Sequence, residues 1–503
     1  MRRMIGNTLA ALMLASVWPV AQAAVPVLEM PPVDVEAAVA ADALKKGPQP
    51  YRFAVPIAVR ITPADQGLWS RVDGMAVWQL ALHSAQASSL NFGFKAYALP
   101  EGAKLTISAL DGSQPQGPYG SAHNRQGQLW TPIVRSDTAL ITLQVPFALR
   151  EAVRLELAAV NHGFRGFGAK ADSVSAKSGS CNIDVACSDG NAWRDEIRSV
   201  ARFTIGGALL CTGQLVNNTA ANFTPYFLTA NHCVTSGAEA PTTVFYWNYQ
   251  TSRCGGPPDG SLDQTQSGAL FRAGSFDAAT VASDFTLLEL LARPPAAFKV
   301  YYAGWDRRDL APIGVTGIHH PNGDEKRISM DLNQTFIAAY GEQPDSPQSA
   351  LTPTHILVQS WDRGVTEGGS SGSGIWNSER RLVGQLSGGS SSCDAPQAPD
   401  WYGRMFSNFS NVPAPLTSLA TWLDPVGNTQ VLDGLDPAKS GTPPATGGGV
   451  LPGAGSGDAP ASGNAGSGGG GAFGFGVLML AAFGRLRRLR LWGAEPARAS
   501  ARR

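Results

Sequence analysis

Thr366-Glu367-Gly368-Gly369-Ser370-Ser371-Gly372-Ser373-Gly374 is the stretch from which this chain is best read. A Ser flanked by glycines sits on a tight turn that exposes its Oγ. Small neighbours let a substrate carbonyl approach the backbone, and the N–H groups of Gly369 and Ser371 are placed to form an oxyanion hole. A flexible Gly/Ser linker has a similar composition. This stretch, however, runs at once into Gly374-Ile375-Trp376 and then Leu382-Val383-Gly384-Gln385-Leu386. A linker would not be embedded between apolar strands.

Two upstream segments supply partners. In Phe227-Leu228-Thr229-Ala230-Asn231-His232-Cys233 an apolar strand ends at a His followed directly by Cys. The strand gives rigidity, and the Cys can lock the loop behind the imidazole, with Cys211 as its partner across a hairpin. Closing a loop of that length is worth about 3 kcal/mol in the chain-entropy model. In Ser283-Asp284-Phe285-Thr286-Leu287-Leu288-Glu289-Leu290 an Asp opens an alternating strand. A carboxylate held there can accept the His Nδ1–H and fix its tautomer. Alone, His232 reads as well as a core histidine, and Asp284 reads better as a turn residue. The three segments together point to nucleophilic catalysis.

The surrounding residues read as short strands, at Val200–Ile205, Tyr226–Thr229, 243–247, Phe285–Leu290, 356–360 and 382–386, with one late helix at 416–423 stopped by Asp424-Pro425. That pattern suits a double β-barrel over residues 178–436. No repeat of 20–50 residues is visible, which argues against solenoids and propellers. The order His232, Asp284, Ser371 is that of the chymotrypsin-like triad. Residues 178–436 resemble a secreted bacterial trypsin-like serine endopeptidase, and closely the lysyl endopeptidases. The segments that carry the resemblance, besides the His232, Asp284 and Ser371 stretches, are Gly179-Ser180-Cys181-Asn182-Ile183-Asp184-Val185, Leu215-Val216-Asn217-Asn218-Thr219, Gly317-Ile318-His319-His320-Pro321-Asn322-Gly323-Asp324 and Trp401-Tyr402-Gly403-Arg404.

The resemblance implies a two-barrel fold with three disulfides, Cys181–Cys393, Cys187–Cys254 and Cys211–Cys233. Sequence arithmetic alone leaves 15 connectivities for six cysteines. It implies His232, Asp284 and Ser371 as catalytic, with no metal and no cofactor. His319, His320 and Asp324 have metal-ligand chemistry, but the resemblance makes their segment a surface loop. The position six residues before the nucleophile, which holds the pocket acid in trypsin, is Val365. Lysyl endopeptidases carry theirs before a strand like Asp400-Trp401-Tyr402-Gly403-Arg404, so Asp400 is expected at the pocket floor, with Glu367 as the competing acid. Ser387 and Gly388 are expected to share in specificity, and Ser387 stands where lysyl endopeptidases carry a His. Ser370 replaces the Asp that many trypsin-like enzymes have before the Ser, so activation by a buried N-terminal ammonium on that residue is not expected.

Outside this region the chain is organised for export. The chain has 503 residues, and at roughly 150 per domain that is about two to four units. Charged residues are only 16%, which excludes a charge-driven disordered protein. Lys+Arg and Asp+Glu are both 39, so no global basic field exists to hold nucleic acid. Residues 1–23 have Arg2-Arg3, an apolar run and Ala21-Gln22-Ala23, the three parts of a signal peptide. Residues 24–177 hold no Cys. Their alternating runs, such as Leu105-Thr106-Ile107-Ser108-Ala109-Leu110 and Ala139-Leu140-Ile141-Thr142-Leu143-Gln144-Val145, read as a β-rich, sandwich-like propeptide. His83, His123 and His162 there lack partners at ligand spacing. Residues 437–471 are a Gly/Ser/Pro-rich linker. An apolar stretch and an Arg-rich end follow over 472–503, resembling the sorting tails of Gram-negative exported proteins. Its twelve apolar positions span only about 18 Å as a helix, against about 30 Å of hydrocarbon, so membrane association would be transient.

These readings predict a mainly β protease, a monomer, that cuts protein or peptide substrates after Lys, with Arg second, at the cell surface or outside the cell. A chymotrypsin-fold enzyme of glutamyl type is the alternative within the fold, and a non-catalytic binding module displayed by the tail is the alternative outside enzymology.

Overall fold

Short strands build the described part of the molecule, with alternating burial in the N-terminal part and burial of nearly every residue in many C-terminal strands. In the computed structural model, Thr138–Pro146 buries Ala139, Ile141, Leu143 and Val145 and turns the residues between them outward, the two-residue period of a half-covered sheet. The model describes residues 24–165, 167, 178–276, 282–344, 352–410 and 418–440, all within one unit that spans Met1–Gly449. The expected signal peptide, most of the expected linker at 437–471, the tail and the processing region before Ser178 lie outside the described residues.

The N-terminal part has two sheets. One has six strands, in which Met75–His83 pairs with Thr138–Pro146, and Thr138–Pro146 with Lys104–Ala109. The other has four, in which Arg154–Gly163 lies between Ala54–Ile61 and Ser89–Ala98. Trp78, Leu80, Ile141 and Leu143 meet Phe92, Phe94, Leu157 and Val160 in one core between them. Leu110, expected inside a strand, is exposed because the chain has already entered the Asp111-Gly112 turn.

The C-terminal part is two barrel-like, mostly antiparallel sheets, one of seven strands joined by an eighth from the N-terminal part and one of ten. The first runs through Val244–Trp247, Val200–Ile205, Leu209–Leu215, Tyr226–Thr229 and Phe285–Leu290. The second runs through Arg327–Gln334, Ile313–His319, Gly374–Asn377, Leu382–Gly389, Asp400–Arg404 and His355–Val358. A core of Val216, Leu228, Phe285, Trp305, Ile318 and Trp376 draws on both sheets, so the seam between them is dry. The three disulfides are Cys181–Cys393, Cys187–Cys254 and Cys211–Cys233.

The fold corrects several expectations. The late helix is described only as Ala420–Leu423 and ends at Asp424, before Pro425. Helices also form at Val35–Ala43, Arg194–Ser199 and Met405–Ser410. The first is capped by Asp34, whose carboxylate accepts the Ala37 N–H at 2.8 Å. The other two are six residues each, too short for a periodic signal, and they exist because strands before or after them hold their ends.

The two parts of the chain share an apolar seam of Phe53, Ala54, Ile133 and Phe167 against Ala208, Leu210, Val244 and Tyr246. Arg202, fully buried, lies with its guanidinium 3.6 Å from the Phe167 ring centroid and 4.0 Å from that of Tyr249. Tyr51–Arg52 adds as an extra antiparallel strand to Leu209–Leu215. The N-terminal part thus lies against the edge that leads to the candidate site.

Candidate active site

His232 stands just past the Tyr226–Thr229 strand, whose four residues are buried. Asp284 opens the neighbouring Phe285–Leu290 strand, paired to it from Tyr226↔Glu289 to Thr229↔Thr286. That register brings the His and the Asp to one end of the sheet. Asp284 is fully buried and holds φ +47°, in the left-handed region that Asp tolerates better than most residues. This backbone turns its carboxylate so that Oδ1 accepts the His232 backbone N–H at 2.9 Å and Oδ2 lies 2.7 Å from His232 Nδ1. A carboxylate only accepts, so Nδ1 is the donor and Nε2 is left with its basic lone pair. His232 Nε2 is buried and has no hydrogen-bond partner among the described residues.

The Ser371 loop comes from the second sheet and is clasped to the first by Thr212. The Thr212 N–H donates to Ser371 O at 2.9 Å, and its Oγ1 donates to Gly369 O at 2.9 Å. Gly372 holds φ +81°, and a Cβ there would collide with Thr229 Oγ1, Thr212 O and Ala230 N. Only glycine lets the loop press so closely on the strand that ends at His232. The N–H groups of Gly369 and Ser371 have no backbone partner among the described residues and remain available to an oxyanion.

A peptide carbonyl from the N-terminal part already faces the hydroxyl. Gln49 O lies 3.5 Å from Ser371 Oγ. Two residues on, Tyr51 pairs with Leu210 and Arg52 with Leu209. Residues 49–52 therefore lie extended across the site, and the bond presented to Ser371 is Gln49–Pro50.

Asp400 opens the Asp400–Arg404 strand, opposite Gly389 and Val358. It is fully buried, and its Oδ2 accepts Trp361 Nε1–H at 2.7 Å, Thr366 Oγ1–H at 2.9 Å and Ser391 Oγ–H at 2.7 Å. Burial raises its pKa above the ordinary Asp value, and the donors oppose that rise without cancelling it. Thr366 ties it directly to the loop that carries Ser371. Glu367 points elsewhere: it accepts the Gly179 N–H at 3.1 Å and Asn322 Nδ2–H at 3.0 Å, so it anchors the start of the C-terminal part. Ser387 Oγ lies 3.0 Å from Nε2 of His355, a buried imidazole on the His355–Val358 strand. Gly388 leaves room for the Tyr340 hydroxyl, and that ring packs against His355.

The expected surface loop at 317–324 is instead interior. His319 and His320 are fully buried. His319 Nδ1 lies 2.9 Å from Ser370 Oγ, and His320 Nδ1 2.9 Å from Asp324 O. Asp324 accepts from Ser178 and Arg327. Among the described residues, the grouping of metal-type ligands is Cys211, His232 and Cys233, and its two sulfurs are spent on each other in a disulfide. Of the remaining histidines in question, His162 is buried beside Ser84, and His83 lies against Glu29. Sequence reading missed Thr212, His319, His355 and Gln49. Thr212 had one available signal, its place directly after the bridged Cys211.

Burial holds His319 and His355 down to about 3, and His320 well below its ordinary range. A lowered folded pKa means the unfolded chain binds more protons between that value and about 6.5. Each ring then contributes stability that is present above about 6.5 and lost as pH falls toward about 3. Glu196 and Glu325, raised by burial to about 7, act in the opposite direction over part of that range. A residue-resolved reading avoids this cancellation. In nitrogen-detected histidine NMR, His319 and His355 should stay neutral from pH 8 to 5, and a midpoint near 6.5 for either would refute the burial argument.

Known proteins resemble this chain over part of its length. Residues 175–403 match the family model described as lysyl endopeptidase, C-terminal domain. Over 309 residues the chain is 34% identical to a lysyl endopeptidase of Pseudomonas aeruginosa, a match covering 56% of this chain and 61% of that protein. Among solved structures, human heparin binding protein aligns at 14% identity and a TM-score of 0.31, over 46% of this chain and 92% of its own. A thermostable serine protease from an extremophilic microorganism aligns at 12% identity and 0.30, over 42% and 92%. Those scores are low, and the two-sheet architecture rests on the strand pairing itself. The part of the chain that holds His232, Asp284 and Ser371 is similar to the C-terminal domain of the lysyl endopeptidases.

Proposed function

We propose that the chain is an exported serine endopeptidase that hydrolyses peptide bonds after Lys, with Arg second. The observation that carries this reading is the grip of Asp284 on the backbone N–H and Nδ1 of His232, near a Ser whose hydroxyl faces a peptide carbonyl. In the reaction His232 Nε2 takes the Ser371 proton as Oγ attacks the scissile carbonyl. The N–H groups of Gly369 and Ser371 receive the oxyanion, and the imidazolium returns the proton to the leaving amine. Asp284 keeps the tautomer and stabilises the imidazolium. Water then deacylates Ser371 by the same route. Three disulfides suit an oxidising compartment. Ser371→Ala should abolish both peptide hydrolysis and labelling by a fluorophosphonate while the fold and disulfides persist. The loss should be on the order of 10⁶ in turnover. Near-normal hydrolysis by that variant would refute the assignment.

Asp400 is the proposed anchor for the substrate cation. A buried carboxylate held by three neutral donors is negative without a counter-charge, and an entering Lys ammonium supplies one. Because burial raises Asp400, binding of a cation is linked to its ionisation. Turnover of Lys substrates per unit KM should fall as pH drops through that raised value, above the usual Asp range. Labelling of Ser371 by a neutral probe should not show that extra titration. Asp400→Asn should lose roughly 3–5 kcal/mol, about 10²–10³ or more, on Lys and Arg substrates. Unchanged Lys cleavage by Asp400→Asn would overturn the pocket.

Residues 24–177 fit a propeptide that covers the cleft until it is released by cleavage before the C-terminal part. The strand at Tyr51–Arg52 lies as a substrate's leaving side would, yet the presented bond resists cleavage. Gln49 carries no cation for Asp400, and Pro50 makes the bond a tertiary amide whose ring crowds the place where the leaving nitrogen meets His232. Combining Gln49→Lys with Pro50→Ala should turn this strand into a substrate, cut between positions 49 and 50. Mass analysis of the purified chain reads the outcome, and an intact 49–50 bond in an otherwise active enzyme would show that the strand is not held in the substrate register.

A further inference from the structure

We propose that His319 is a positioning residue that holds the nucleophile loop in its catalytic shape through Ser370, an inference that rests on the serine-endopeptidase reading. In trypsin-like enzymes with an Asp before the nucleophile, that acid is the natural handle for ordering the loop. This chain has Ser370 there, and the hydroxyl is completely buried. Its Oγ lies 2.9 Å from His319 Nδ1, while His319 Nε2 lies 3.0 Å from Ser329 Oγ. Ser329 Oγ donates onward to Val365 O at 2.9 Å.

The proton inventory fixes every direction in this chain. A hydroxyl has one proton, and Ser329 gives its proton to Val365 O. It must therefore accept from His319 Nε2–H. A neutral imidazole with its proton on Nε2 has a lone pair on Nδ1, so Ser370 donates its own proton there. Ser370 Oγ in turn accepts the Glu367 N–H at 3.3 Å. His319 thus ties both arms of the loop, Val365 and Glu367 on the approach and Ser370 at the apex, to the Arg327–Gln334 strand beneath. Ser370 lies between Gly369 and Ser371, the two residues whose N–H groups would face the oxyanion. Rotation of its flanking peptides would turn those donors away. The network needs no free chain terminus: the Ser178 and Gly179 N–H groups are already bound by Asp324 and Glu367 with the N-terminal part in place. The loop is therefore set before processing, and uncovering the cleft is sufficient for activity.

The test compares His319→Asn, His319→Gln and His319→Ala in the full chain, each processed by a trace of the parent enzyme. Turnover on a Lys ester is measured per site by active-site titration. Asn places an acceptor where Nδ1 stood and restores the Ser370 bond. Gln is nearer to His in volume but offers its amide at the Nε2 end. Anchoring through Ser370 therefore requires turnover to fall in the order parent, Asn, Gln, Ala, with about tenfold or more lost by Ala and KM unchanged. A packing role gives Gln above Asn, and that order, or an Ala variant that turns over like the parent, overturns the inference. Should the His319 variants fail to fold, Ser370→Ala removes the same bond with little change in volume. It should show the same loss of turnover in a chain whose fold and disulfides persist, and parent-like turnover there also overturns it. A parent that neither labels at Ser371 nor hydrolyses the ester refutes the endopeptidase reading instead, and this inference falls with it.

Discussion

The two sheets of the C-terminal part meet at one fully buried threonine. Thr212 belongs to the first sheet by its pairing with Arg202 and sits beside the Cys211–Cys233 bridge. Its N–H and Oγ1 hold Ser371 O and Gly369 O from the second sheet, its Oγ1 also accepts the His320 N–H at 3.2 Å, and its carbonyl accepts from Thr229 Oγ1 at 2.8 Å. One small residue therefore touches, through its side chain and backbone together, the Ser371 loop, the strand that leads to His232, and the segment that carries His319. A hydrogen bond of this kind is worth only about 1 kcal/mol net, but a buried carbonyl left without its donor costs about 1–3 kcal/mol. The groups proposed as catalytic come from different sheets, and their mutual geometry depends on that asymmetry.

Polar groups sealed in the seam give the site its rigidity. Asp400 shows the principle at its most demanding, because a buried carboxylate is tolerated only when its lone pairs are occupied. Three side-chain donors from three separate segments converge on one oxygen, and this fixes Trp361, Thr366 and Ser391 relative to each other. The carboxylate is fixed and cannot turn aside to solvent. Glu367, close in sequence to Ser371, is half-buried and spends its carboxylate on Gly179 and Asn322. Nearness along the chain does not make it face the same way as Asp400.

The N-terminal part meets the same edge by strand addition. Main-chain pairing at Tyr51–Arg52 supplies the register, and the seam of Phe53, Ile133 and Phe167 against Leu210 and Tyr246 supplies apolar burial. Main-chain hydrogen bonds are indifferent to side-chain identity, and a cleft that reads peptide backbone can therefore be occupied by its own chain. In the proposed reading, what distinguishes occupant from substrate is the chemistry at one bond, Gln49–Pro50.

The sequence by itself determined the two-residue burial rhythm, the glycines at the nucleophile turn, and the order His232, Asp284, Ser371. These are local properties: a turn such as Gly372 demands glycine, and alternation demands a covered face. The cysteine pairing came from resemblance, since six cysteines leave 15 connectivities open. Only the tertiary structure decided that His319 and His320 are interior, that His355 stands against Ser387, that Glu367 anchors residue 179, and that Gln49 faces Ser371. Each of these joins segments far apart in the chain, by 322 residues for Gln49 and Ser371. A histidine or a glutamine looks the same in sequence whether water or a buried hydroxyl is its partner. The partner is chosen by sheet register and by the closing of two sheets on each other, and no local pattern encodes that choice.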